Sequence, residues 1–131
     1  MSGAHTPARA QAAGRPVLEV LLNALGLGIW AAHFGLIYAV HALACERAWI
    51  TGRPLGITWS QLAIAGLTVV ALGALLLVFR AALRRMGPGP WDEGGEREPR
   101  FTAWFAAATA VYSALAVVFQ AAPALVLPAC G

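Results

Sequence analysis

Three apolar stretches, each long enough to cross a lipid bilayer, account for most of this chain. The three stretches cover approximately residues 16–45, 58–83 and 101–127. A transmembrane helix needs only about 20 mainly apolar residues. Charged residues make up 11% of the chain and hydrophobic residues 60%, whereas a soluble domain carries about 25% charged residues. We therefore predict an all-α fold, an integral membrane bundle of three transmembrane helices.

The polar stretches divide the chain into a tail and a membrane domain. Residues 1–15 are mainly small and polar and predict a flexible N-terminal tail, which leaves 16–131 as the three-helix membrane domain. The apolar run after Arg15 extends to Cys45, far beyond the roughly 7–15 residues of a signal-peptide core. We therefore expect the first helix to be retained in the mature protein.

Arginine placement predicts the orientation. The chain has nine arginines and no lysine. Seven lie in the tail or around the linker between helices two and three, and two lie in the connector between helices one and two. Because cytoplasmic loops of membrane proteins carry excess positive charge, we predict a cytoplasmic N-terminus and a periplasmic C-terminus in a bacterial inner membrane. The net charge of +3 is assigned to this topology, and no nucleic-acid binding is expected.

Polar side chains recur along one face of the first helix, at steps of three or four residues. Such steps keep side chains within roughly ±40° of one direction on a helix. Because ionisable groups rarely face acyl chains, this polar stripe is expected to face another helix. Its members are Glu19, Asn23, Gly26, Trp30, His33, Ile37 and His41.

Helix three carries a second polar line, and the two lines together predict helix–helix contact. Thr102, Thr109, Ser113 and Gln120 lie within about ±20° of one direction. Small residues beside the stripe, Gly35 among them, allow another helix to approach closely. The two lines therefore either face each other or face a larger partner.

Two chemical interpretations of the stripe compete with simple packing. Glu19, His33 and His41 are the ionisable groups of a possible proton or ion path. The two histidines are alternatively haem or metal ligands, but eight residues separate them by ~12 Å along the helix, so they cannot share one haem. The other two helices contain no histidine. We therefore expect no cofactor or metal held by this chain alone.

The absence of Gly-x-Ser-x-Gly, HExxH and CxxC motifs also predicts no catalytic residues and no enzyme.

The two cysteines end helices one and three on the side predicted to be periplasmic and oxidising. A disulfide between Cys45 and Cys130 would close a loop of 84 intervening residues, worth roughly 4–5 kcal/mol in the entropic account. Two free thiols are the alternative. Copper ligation is disfavoured, because there is no CxxC spacing and no nearby methionine.

Two sequence blocks resemble a known group of proteins. The first is WAAHFGLIYAVHALAC, from Trp30 to Cys45, and the second is QAAPALVLPAC, from Gln120 to Cys130. The pattern resembles small three-helix bacterial membrane proteins associated with haem-copper, caa3-type cytochrome c oxidase systems. The resemblance covers mainly helices one and three, and the paired cysteines are its most distinctive part.

The resemblance implies a non-catalytic accessory subunit or assembly factor of a respiratory terminal oxidase, whose redox centres belong to other chains. Its expected partners are haem-copper oxidase subunits or other membrane helices, together with the lipid bilayer. A self-assembling small transporter or proton channel is one alternative, and a haem-carrying membrane electron-transfer protein is another. The expected partner interface comprises Glu19, Asn23, Gly26, Trp30, His33, Gly35 and His41.

Overall fold

The protein is a bundle of three long α-helices. The computed structural model describes residues 7–47, 56–86 and 97–127, and nearly all of them are helical. Each helix contains a segment long and apolar enough to cross a membrane, so the predicted all-α class with three spans is confirmed. The helices are α1 (Pro7–Glu46), α2 (Trp59–Met86) and α3 (Arg97–Val126).

The first helix begins earlier than the sequence analysis predicted. Residues 7–15 were expected to belong to a flexible tail, but they form the first turns of α1, so that prediction is wrong for this part of the tail. Four of these nine residues are alanine, the best helix former, and Pro7 suits a helix's first turn. Among the described residues, the part of α1 long and apolar enough to cross a membrane starts at Val20, and residues 1–6 lie outside the described part.

The other helices also extend slightly into the stretches predicted as loops. α2 continues to Met86, and α3 begins at Arg97 instead of about residue 101. The most polar part of the linker, 87–96, lies outside the described residues, as does the connector 48–55.

Contacts between the helices define their directions. Gln61 near the start of α2 meets Leu125 near the end of α3, so these two helices run antiparallel. Gly26 of α1 lies beside Ser113 of α3, and residues further along both helices also meet, so α1 and α3 run parallel. α2 and α3 share the most extensive contact, and α1 packs against both.

Small side chains from α3 form much of the buried core. Helices in lipid gain little from hydrophobic burial, so they associate through close van der Waals packing, which small residues permit. The larger core side chains, Leu75 of α2 and Val117 of α3, pack with Ala71. The buried residues of α3 are Ala103, Ala106, Ala107, Ala110, Ser113, Val117 and Ala121.

A capping box begins α2. The backbone N–H of Thr58 donates to Gln61 Oε1 over 3.1 Å, and the backbone N–H of Gln61 lies 3.4 Å from Thr58 Oγ1. This reciprocal pair satisfies donors that the first helical turn leaves without partners. The Gln61 amide also donates to the Leu125 carbonyl over 2.9 Å, which joins the start of α2 to the last turn of α3.

Candidate functional site

The middle of the polar stripe is buried within this one chain. His33 is 2% exposed and Ile37 is 5% exposed, and Gly26 is buried as well. These positions face α2 and α3 of the same molecule. We call this interior contact of α1 with α2 and α3 the buried seam. Gly26 and His33, two of the predicted partner-interface residues, are thus covered by the chain's own helices.

Gly26 marks the point where the polar lines of α1 and α3 meet. A Cβ atom at this position would lie 3.5 Å from Ser113 Oγ, from the Ala110 backbone nitrogen and from the Thr109 carbonyl carbon. That distance is ordinary van der Waals contact for one carbon and leaves no room for a longer side chain. Here the two polar lines face each other, which is one of the two arrangements that their spacing predicted.

His33 pairs with a residue that the sequence analysis did not identify. Its Nε2 lies 3.2 Å from Thr68 Oγ1 on α2. The Thr68 hydroxyl donates to the Ile64 carbonyl over 2.7 Å. Thr68 is the only hydroxyl residue in the middle of an otherwise apolar α2, and that isolation was the feature in the sequence that could have revealed it.

Three buried polar atoms in the bundle interior have no hydrogen-bond partner among the described residues. They are Asn23 Oδ1, His33 Nδ1 and Ser113 Oγ. Two belong to the polar stripe and the third to the polar line of α3. The interior of the bundle therefore contains hydrogen-bonding capacity that the packed side chains leave unused.

Trp30 and His41 of the stripe lie at the edges of its buried part. Trp30 is 37% exposed, and its ring centroid lies 6.4 Å from that of Phe34. His41 is half-buried. Glu19 lies on α1, but its side chain is outside the described part of the structure.

The two histidines of the polar stripe have different surroundings. His33 faces α2, whereas His41 lines an open groove of about 350 Å³ between α1 and α3. Gln120 and Tyr38 also contribute polar groups to that groove, and apolar side chains such as Phe34 and Leu127 complete its lining. A second groove, of about 320 Å³, lies between α2 and α3 and is lined by apolar side chains alone.

A separate surface of α1 faces away from the other helices and is built of small residues. A Cβ atom at Gly28 or Gly35 would meet no atom within 4 Å. Gly35, a predicted interface residue, lies on this surface and not on the buried seam. We call the surface the outer small-residue face, and its members are Ala24, Gly28, Ala31, Gly35 and Ala39, all exposed.

The predicted disulfide falls partly outside the described residues. Cys45 lies in the last turn of α1 and is disulfide-bonded. Cys130, the only other cysteine in the chain, is not among the described residues, so the pairing stays a prediction. The described residues contain no group of three or more histidine, cysteine, aspartate or glutamate side chains placed to hold a metal ion.

The chain matches no protein-family model, no curated protein and no solved structure.

Proposed function

We propose that this chain is a non-catalytic subunit or assembly factor of a respiratory terminal oxidase. We further propose that it binds a helix of its partner through the outer small-residue face of α1. The class of partner rests on the two sequence blocks that begin at Trp30 and Gln120 and resemble oxidase-associated proteins. The binding surface rests on the packing of α1.

The exposure of the outer small-residue face is the observation that carries this proposal. Inside lipid, helices associate where small residues let their backbones come close. Gly28 and Gly35 lie seven residues apart, on one side of α1, with open space beside both. The same chain uses its other small positions, such as Gly26 and Ala110, to pack its own helices.

This assignment changes the role of the polar stripe. His33 and Gly26 hold α1 against α2 and α3, and so they position the opposite side of α1 for a partner. Phe34 and Tyr38 are 54% and 73% exposed and lie beside Gly35 on the helix surface. Large side chains flanking a small one form the ridges and grooves by which packed helices interlock.

The experiment is a mild-detergent pull-down of the tagged protein from its native membranes, followed by a reduced-minus-oxidised absorption spectrum. The wild-type chain is expected to elute with large subunits that show haem a bands. Gly35→Leu should lose most of this co-elution because it blocks close approach. Gly73→Leu is the matched control, since Gly73 on α2 also has open space within 4 Å, and it should behave as the wild type.

Each part of the proposal has its own contrary result. Undiminished co-elution with Gly35→Leu would show that the outer small-residue face is not the binding surface. A colourless wild-type eluate without large subunits would instead remove the oxidase as the partner.

A second candidate function is proton conduction by a self-assembled form of the chain. The unpaired interior atoms of Asn23, His33 and Ser113 favour it, because intramembrane polar groups often mark ion pathways. Purified protein in liposomes with an imposed pH gradient tests it. Proton flux that His33→Ala abolishes would support conduction, and an absence of flux in the wild type would exclude it.

A further inference from the structure

The hydrogen bonds around His33 determine which ring nitrogen carries its proton. A threonine hydroxyl has a single proton, and that of Thr68 is donated to the Ile64 carbonyl over 2.7 Å. The Thr68 oxygen can therefore only accept from His33 Nε2, which lies 3.2 Å away. The Nε2 atom consequently carries a hydrogen, and Nδ1 of the neutral ring presents a lone pair.

That lone pair is an unused acceptor inside the bundle. The His33 side chain is 2% exposed, and Nδ1 has no hydrogen-bond partner among the described residues. Buried acceptors are normally satisfied by protein or by ordered water. A donor from another protein cannot reach this atom without displacing α2 or α3, whereas a water molecule is small enough to occupy an interior seam.

We propose that the interior seam of the bundle binds water, with His33 Nδ1, held as an acceptor by Thr68, as its anchoring site. A buried water needs two to four polar partners, and the same seam offers Ser113 Oγ and Asn23 Oδ1. Ser113 is 3% exposed and lies beside Gly26, seven residues or ~10.5 Å before His33 along α1. A single water cannot span that distance, so the proposed ligand is a short chain of waters between these groups.

This site is independent of the proposed oxidase role. It lies within the chain, on the opposite side of α1 from the outer small-residue face. Water would also supply hydrogen-bond partners for the unpaired polar atoms of the buried seam, which helix packing and partner binding do not.

Nuclear magnetic resonance of the full chain in lipid nanodiscs, with ¹⁵N-labelled histidine, tests the proposal directly. The ring of His33 is expected to show a protonated Nε2 and an unprotonated Nδ1, together with magnetisation transfer from water to the ring. A protonated Nδ1, or a ring without any water contact, would overturn the proposal. The wild-type spectrum alone decides this point, so no variant needs to fold for the test to be conclusive.

Two matched variants test the cause of the tautomer. Thr68→Val removes the acceptor for Nε2 and should shift the His33 ring resonances toward a mixture of tautomers. Thr109→Val is the control, because the Thr109 hydroxyl donates to Ala106 of its own helix, and it should leave the ring unchanged. Unaltered ring resonances in Thr68→Val would show that Thr68 does not hold the proton on Nε2.

Ser113→Ala tests whether the water extends beyond His33. It removes one of the unpaired polar atoms and should weaken the water-to-ring transfer while keeping the tautomer. An unchanged transfer would exclude Ser113 from the water chain.

Discussion

The side-chain amide of Gln61 donates a hydrogen bond over 2.9 Å to the backbone carbonyl of Leu125. Gln61 also caps the start of α2 through its Oε1 atom. One side chain therefore satisfies a backbone donor at the start of α2 and a backbone acceptor in the last turn of α3.

Replacing Gln61 is expected to lower stability in two separable steps. Gln61→Ala removes both contacts and should cost about 1–2 kcal/mol. Gln61→Glu keeps an acceptor for the cap but loses the donor to Leu125, so it should cost less. Thermal unfolding in detergent measures both variants, and equal losses would mean that the cap formed by Gln61 Oε1 contributes nothing.

Two glycines of α1 are expected to respond oppositely to enlargement. Gly26→Leu should destabilise the bundle by about 1–3 kcal/mol, as overpacking usually does, because α3 lies directly against this position. Gly28→Leu should leave stability nearly unchanged, because it enters open space. Gly26→Ala should also be tolerated, since one added carbon meets only van der Waals contacts at 3.5 Å. Equal stability of the two leucine variants would contradict the packing of α1 on α3.

The hydroxyl of Thr68 is expected to contribute modestly to stability. Interhelical hydrogen bonds in membrane proteins average about 0.6 kcal/mol, so Thr68→Val should lower the free energy of unfolding by that order. His33→Ala should cost more, about 2 kcal/mol, because it also opens a cavity in the buried seam. His41→Ala is the comparison, since His41 borders an open groove. A larger loss for His41→Ala than for His33→Ala would contradict the assignment of the seam.

The disulfide pairing can be tested on gels. Cys45 is disulfide-bonded, and an internal bond to Cys130 should change the mobility of the monomer on reduction. Cys45→Ser and Cys130→Ser should each abolish that change and lower the melting temperature. A dimer that disappears on reduction would show instead that the bond joins two chains.

The sequence by itself determined the three membrane spans and the existence of a buried face on α1. Both follow from local properties, namely apolar length and the helical spacing of Asn23, Gly26 and His33. The small and polar residues of 1–15 predict a flexible tail, whereas the alanines among residues 7–15 favour the helix that α1 forms there.

Only the tertiary structure decided what covers the buried face and which glycines remain open. Gly26 meets α3, whereas Gly35 meets no atom within 4 Å. The pairing of His33 with Thr68 likewise depends on the register of α2 against α1. A helical repeat specifies which residues share a side, but contacts between helices are non-local, so the identity of the neighbour appears only once the three helices are packed.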